Sequence, residues 1–294
     1  DLDLMRQTAA IAAEEAAADG IKWTFAPMVD LARDPRWGRV MEGAGEDPFL
    51  GSEIAKARVQ GFQGGSDWHS LSKTNTVLAC VKHFAAYGAA EAGRDYNTAE
   101  LSQHTLWNAY LPPYKAAIDA GVGTVMASFN EVNGIPATAN RYLMTDILRK
   151  QWGFKGFVVT DYTGINELVP HGVAVDNKHA AELAINAGID MDMTGANFIK
   201  HLKKSVEEGK VKEETINTAV RRILEMKFVL GLFDDPYKFL DENRAKTTLM
   251  KPEFLQVART AVAKSVVLLK NNAEVLPITP DMPKKVALIG PMVK

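Results

Sequence analysis

The stretch Gly156-Phe157-Val158-Val159-Thr160-Asp161-Tyr162 sets a short apolar, β-branched run between a glycine and a carboxylate followed by an aromatic ring. The run reads as a strand buried on both faces, the pattern that parallel sheets impose. Asp161 then lies where that strand leaves the core. In a barrel of alternating strands and helices, side chains at the carboxyl-terminal rim are the ones free to do chemistry.

Working outward from this strand, four more share its form. Ile21–Pro27 runs toward Asp30, and Val77–Val81 leads straight into Lys82-His83. Gly123–Asn130 ends on an amide, and Ile189–Met193 alternates Asp190 and Asp192 with apolar residues. That alternation turns both carboxylates to one face, where a buried hydrogen-bonded network is expected. Helices are expected between the strands: 2–18, Ala-rich and stopped by Asp19-Gly20; one capped by Ser52 and running to about Phe62; and a helical region from Thr98, divided at Pro112-Pro113. Further helices run from Asn140 to Gln151, from Asn177 to Gly188, and over about 197–208 and 213–230.

Alternating strands and helices with short connections predict an α/β fold with a parallel sheet. Because several strands each end on a polar residue, we read a TIM-type (β/α)8-like barrel rather than an open doubly wound sheet, whose useful ends gather at one switch point. Five strands are fewer than eight, so the barrel is expected to be incomplete at its N-terminal end. Residues 1–231 form this unit. Residues 232–264 read as a linker, loop-like to 250 and then helical from Pro252 to Lys264. Residues 265–294, with strands at 265–270 and 285–290, read as the beginning of a truncated second domain.

Composition narrows the function classes. A net charge of −2 over 294 residues gives no reason to expect nucleic acid or an acidic membrane surface as partner. No apolar stretch is long enough to cross a bilayer. Cys80 is the sole cysteine, which excludes an internal disulfide framework and a thiolate metal cluster. The chain opens at Asp1 without a Met or a signal peptide, so it reads as processed or truncated.

Each polar candidate has a plain alternative. Asp161 is either a helix cap or a rigidly aimed carboxylate nucleophile. Lys82-His83 could pair with an acid and a carbonyl, clamp sugar hydroxyls or an anion, or supply a Schiff-base lysine. Arg36 and Arg39 suit an ion-pair network with Glu42, Glu46 and Asp47, and Trp37 either stacks on a sugar or anchors its loop. His171, Asp176 and His179 lack metal-ligand spacing and read as solvated. Phosphate-loop, nucleophile-elbow and zinc-protease patterns do not occur.

Four motifs in order carry a resemblance: Asp34-Pro-Arg-Trp-Gly-Arg39 with Gly45-Glu-Asp-Pro48; Val81-Lys-His-Phe84; Val125-Met126 through Asn133-Gly134; and Trp152-Gly-Phe-Lys-Gly-Phe157 leading to Thr160-Asp-Tyr162. The chain resembles the family 3 glycoside hydrolases over essentially its whole length, in particular the bacterial periplasmic-type β-glucosidase branch. Leu268-Leu-Lys-Asn271 and Ala287-Leu-Ile-Gly-Pro291 resemble the opening of that family's α/β sandwich domain.

The resemblance implies a retaining, exo-acting β-glucosidase in which Asp161 forms a covalent glycosyl-enzyme. Arg39, Lys82, His83 and Arg94 match donors to sugar hydroxyls, while Met126, Phe129 and Tyr162 match pocket positions. No metal or organic cofactor is implied. Small β-glucosides or oligosaccharides are the implied partners, an oligomer is left open, and the compartment is periplasmic or extracellular. Phe129 departs from the Tyr of many relatives, and Tyr162 from their Trp. The loop Gly88–Asp95 lacks the Asp-Ser-His of the N-acetylglucosaminidases. The family's acid/base Glu belongs to the second domain, and no residue here matches it. Rival readings are a β-xylosidase or broad exo-glucosidase of the same family, a sugar-binding fragment without turnover, and, most distant, an aldolase using Lys82.

Overall fold

Three strands supply the sheet: β1 (Cys80–Phe84), β2 (Thr124–Ala127) and, beyond the small hairpin β3 (Glu131–Val132) and β4 (Ile135–Pro136), β5 (Phe157–Val159). They belong to a computed structural model that describes residues 1–294 apart from 273, 283, 284, 286, 292 and 294. β2 lies between β1 and β5, and both pairings are parallel. Parallel bridges widen the array on each side, Trp23 to Leu78 and Met28 to Lys82 on one, Val159 to Met191 on the other. The five expected strand positions therefore stand side by side in chain order, without the reversal of a doubly wound sheet.

The pleat sorts their side chains into two cores. Leu78, Cys80, Met126, Phe157 and Val159 share the inner face with Met226 and Leu230. Val77, Ala79, Val81, Val125, Ala127 and Val158 point outward, into the larger core under the helices. Period-two alternation thus places Lys82, two residues after Cys80, and Asp161, two after Val159, on inner-face positions at the exit end.

The surrounding helices are α1 (Leu2–Ala18), α2 (Pro48–Gln63), the single turn α3 (Gln103–Thr105), α4 (Pro112–Asp119), a π-type helix over Tyr142–Gln151, α5 (Asn177–Ala187), α6 (Asn197–Glu207) and α7 (Glu213–Val229). α1 and α2 meet through Ala9, Ala13, Ala17, Ala55 and Val59. Asp190 is buried as expected, taking Arg149 at 2.6 Å, Arg222 at 2.7 Å and the Val158 amide at 2.7 Å. Asp192 accepts from the Asn197 amide at 2.6 Å.

Four expectations are corrected. α2 is capped by Asp47, which accepts from the Leu50 amide, with Pro48 in the first turn. Ser52 lies inside the helix and turns its hydroxyl back to the Pro48 carbonyl. The helical region begins at Gln103, not near Thr98, because Ala99 is bridged to Val132 and its amide bonds to Glu131. The stretch 232–250 contains α8 (Glu242–Thr248), capped by Asp241 and tied through Arg244 to the carbonyls of Ala17 and Phe239. After α9 (Pro252–Ser265), the strands expected at 265–270 and 285–290 do not form among the described residues; Val286 lies outside them. An apolar strand needs a hydrogen-bonded neighbour and a face to bury. Here Leu269 and Ile289 are each 91% exposed.

Gly61 marks how closely α1 and α2 approach. A Cβ there would lie 2.4 Å from the Arg6 carbonyl oxygen and 2.6 Å from the Ala9 methyl. In an open helix, Gly→Ala gains about 1 kcal/mol. At this contact Gly61→Ala is expected instead to cost about 1–3 kcal/mol, because backbone must move. Chemical denaturation checks the sign; a variant as stable as the parent would refute the close approach.

Candidate active site

Asp161 leaves β5 without becoming a helix cap. Its Oδ1 accepts from the amide of the next residue, Tyr162, at 2.7 Å, and the chain turns through Thr163 at φ +53° before the short helical turn at Asn166. Thr160 anchors the exit: its amide bonds to Met191 and its hydroxyl accepts from the Met193 amide. The carboxylate is therefore held on a rigid rim with Oδ2 uncommitted to backbone. That oxygen lies 3.6 Å from His83 Nε2, a contact across which no direct hydrogen bond forms.

His83 is almost wholly buried. Its ring Nδ1 lies 2.8 Å from Asp30 Oδ2, and its own amide donates to the same oxygen at 3.0 Å. The Tyr87 ring stands edge-on at 5.0 Å. Lys82 is partly buried and its side chain makes no ion pair among the described residues. Its charge acts on Glu42, whose carboxyl is held below its ordinary range, first by the bond from Arg39. Arg39 meets Glu42 as a fork at 2.7 and 2.9 Å and lies over the Tyr87 ring. The Arg39–Glu42 pair, Lys82, His83 and Asp161 thus form one charged cluster on the rim.

The remaining candidates divide. Met126 belongs to the inner core and is buried. Phe129 is buried in a rim cluster with Trp37 and Tyr87. Tyr162 is 63% exposed beside Asp161. Arg94 is not brought into the cluster: it is exposed, and its hydrogen bond goes to the Glu91 carbonyl at 3.5 Å.

Other expectations resolve in the same geometry. Trp37 anchors its loop, buried and donating to Asp95 at 3.0 Å. Of the expected ion-pair network only Arg39–Glu42 forms; Arg36 grips Asp34 instead and holds its carboxyl at about 2. Asp176 caps α5 by accepting from His179, and His171 pairs with Glu131. Cys80 lies within the inner core, where burial pushes its thiol up to about 12.

Tyr96 was not singled out by the sequence. It stacks on Phe129 with ring centres 4.3 Å apart. Its phenol is raised first by burial and then by the charges of Asp95, Asp161 and Glu167, which places it near the carboxylate. Its sequence signal is faint, one aromatic after Arg94-Asp95 in a glycine-rich loop. Its φ of +66° is unusual for a non-glycine residue. Asp30 and Tyr114, which hold His83 from behind, were likewise unassigned.

The model of the glycosyl hydrolase family 3 N-terminal domain matches residues 1–226. A periplasmic beta-glucosidase of Salmonella typhimurium is 44% identical over 99% of this chain and 38% of its own length. A putative beta-xylosidase of Formosa agariphila is 36% identical over 97% of this chain and 37% of its own. The crystal structure of a beta-glucosidase from Listeria innocua in complex with glucose superposes with a TM-score of 0.91 at 47% identity, over 95% of this chain and 38% of that one. The chain thus spans well under half the length of these relatives.

One rim contact has a pH signature. Glu131, just past β2, lies 2.9 Å from His171 Nδ1 and accepts from Thr98 at 2.9 Å. Burial would raise its carboxyl; the bonds from His171 and Thr98 outweigh burial and hold it below the ordinary 4.5. A depressed folded-state pKa adds stability above the unfolded value and loses it as pH falls. Glu131→Gln is therefore expected to melt below the parent at pH 7, with the gap closing as pH drops through the carboxylate range. Melting curves across pH check this, and a gap that stays constant would refute it.

Proposed function

The chain belongs to glycosyl hydrolase family 3, and on that premise we propose that it is the nucleophile-bearing part of a retaining, exo-acting β-glucosidase. The observation that supports the reading best is the Asp161 carboxylate. It is fixed at the exit of an inner strand, makes no helix cap, and faces His83 at 3.6 Å. A nucleophilic carboxylate needs this combination of rigidity and one free oxygen.

In the proposed reaction Asp161 Oδ2 attacks the anomeric carbon of a terminal β-glucosyl residue while the glycosidic bond breaks. A proton from an acid/base group then completes the alcohol leaving group. Water then attacks the anomeric carbon from the face the leaving group vacated, giving its proton back to the acid/base group as the bond to Asp161 breaks, which returns the β-anomer and frees the carboxylate. No carboxylate of this chain is assigned the acid/base role. Residues 1–231 are proposed as part of a (β/α)8-like barrel, 232–264 as linker, and 265–294 as the opening of an α/β sandwich domain that carries the acid/base. Lys82 and His83 are proposed to grip hydroxyls of the sugar, with Arg39 steadied by Glu42 beside them. Met126 forms the floor, and Phe129 and Tyr162 the walls. Arg94, on its exposed loop, stays outside this grip. The name of the Salmonella relative supports a periplasmic location for the whole protein.

The Formosa relative keeps a β-xylosidase as a second reading. Comparing aryl β-glucoside with aryl β-xyloside as substrates separates the two. For the nucleophile, a 2-fluoro glucoside is expected to add one sugar mass to the peptide carrying Asp161. Asp161→Asn is expected to lower kcat about 10⁴-fold or more. Label on another residue, or turnover untouched in the variant, would overturn the assignment.

A further inference from the structure

We infer that Asp30 is a positioning residue that fixes the proton of His83 on Nδ1, leaving Nε2 as the ring nitrogen turned to Asp161. The inference rests on three contacts that converge on one buried carboxylate. Asp30 is 1% exposed, and its Oδ2 is shared by the His83 amide at 3.0 Å and the His83 ring at 2.8 Å. Its Oδ1 accepts from the Tyr114 hydroxyl in a short hydrogen bond. An ionised carboxylate offers only acceptors, so the ring nitrogen facing it has to donate. In an imidazole with its proton on Nδ1, the second nitrogen is the one whose state answers to what lies opposite. Opposite Nε2 lies Asp161, at 3.6 Å.

The backbone places Asp30 there without freedom to drift. Met28 is bridged to Lys82, the Val29 amide bonds to the Lys82 carbonyl at 2.8 Å, and the Lys82 amide to Pro27 at 3.1 Å. Asp30 therefore leaves its strand alongside His83. Tyr114, fully buried on α4, closes the far side. Burial first, then the charge of Asp30, push its phenol well above the ordinary range, so the hydroxyl stays a donor. That hydroxyl also lies 2.6 Å from the His83 carbonyl oxygen, tying one group to both ends of the pair. A carboxylate held in this way serves the ring rather than a substrate, which cannot reach it.

Histidine tautomers are read directly by long-range proton–nitrogen correlation on ¹⁵N-histidine-labelled protein. The chain has six histidines, and loss of one spin system in His83→Gln assigns the relevant one. In the parent, Nδ1 is expected to carry a proton at every pH where the protein stays folded. Asp30→Ala removes both acceptor oxygens and is expected to release the ring, moving the proton of the neutral form to Nε2. Asp30→Asn, which can keep its oxygen on the His83 amide and ring and turn its nitrogen to the Tyr114 hydroxyl, is expected to keep it on Nδ1. Tyr114→Phe, which leaves Asp30 and the ring in place, is expected to keep it on Nδ1. A parent ring with its neutral-form proton on Nε2 would overturn the inference, as would an Asp30→Ala spectrum unchanged from the parent. The parent spectrum decides alone if Asp30→Ala does not fold.

The kinetic consequence rests on the proposed role of His83 in gripping a sugar hydroxyl, which Nε2 of the neutral ring does as an acceptor, and it separates from the tautomer itself. In the enzyme turning over an aryl β-glucoside, Asp30→Ala is expected to lower kcat/KM about 10- to 100-fold, the scale for losing a group that orients a site residue. A proton that moves while kcat/KM stays level upholds the positioning role and counts against His83 as a contact to substrate.

Discussion

The parallel register of β1, β2 and β5 governs everything at the rim. Thr124 lies opposite Cys80 and Phe157, and Met126 opposite Val159, so each strand presents the same phase to its neighbour. A slip of one residue would turn every side chain to the opposite face. Lys82 and Asp161 would then point into the helix layer, where an unpaired charge costs several kcal/mol. The hydrophobic alternation that builds the two cores is therefore the same constraint that sends these groups to the inner exit. Core and site are two readings of one period.

Burial of charge divides the acids of this sheet into two kinds. Asp190 is closed in by two arginines and a backbone amide, which satisfies it and makes removal of either arginine costly. Asp30 is closed in by a histidine and a tyrosine at the opposite end of the strands. Asp161 alone among these three keeps an oxygen that no donor within hydrogen-bond distance fills. A carboxylate already saturated with donors is a poor nucleophile, since its charge is spent on neighbours. The unsaturated one is supported by its satisfied neighbours, which hold the strands that carry it.

Legibility in the sequence followed the range of the interaction. Strand runs such as Phe157–Val159 and the amphipathic helix over 213–229 announce themselves through local periodicity, and their positions in the structure match. The cap of α2 lay five residues before the expected Ser52, because Asp47-Pro48 and Ser52 both have cap chemistry and only the fold selects one. α8 was hidden in a charged stretch, since what holds it is Arg244 reaching carbonyls of α1 and the preceding turn, far apart in sequence. Within the site, strand-end residues could be read from position. Tyr96, Asp30 and Tyr114 could not be assigned, because each acquires its meaning from a partner on another element. Arg94 could be placed from its motif alone, but in the structure it is exposed and its hydrogen bond goes to the Glu91 carbonyl of its own loop.

The charge balance of the rim bears on what it can hold. Arg39 is matched by the fork with Glu42, and His83 by Asp30 behind it. The cluster also holds Lys82 and Asp161, one cation and one anion, and the charges of Asp95 and Glu167 reach the neighbouring Tyr96. An anionic ligand such as a phosphate ester would gain from Lys82 and be repelled by Asp161, with little net attraction. A neutral polyol meets no such conflict, because each hydroxyl can accept from a cation and donate to a carboxylate. This balance agrees with the proposed sugar ligand, and the carboxylate proposed as nucleophile is also the group that sets it.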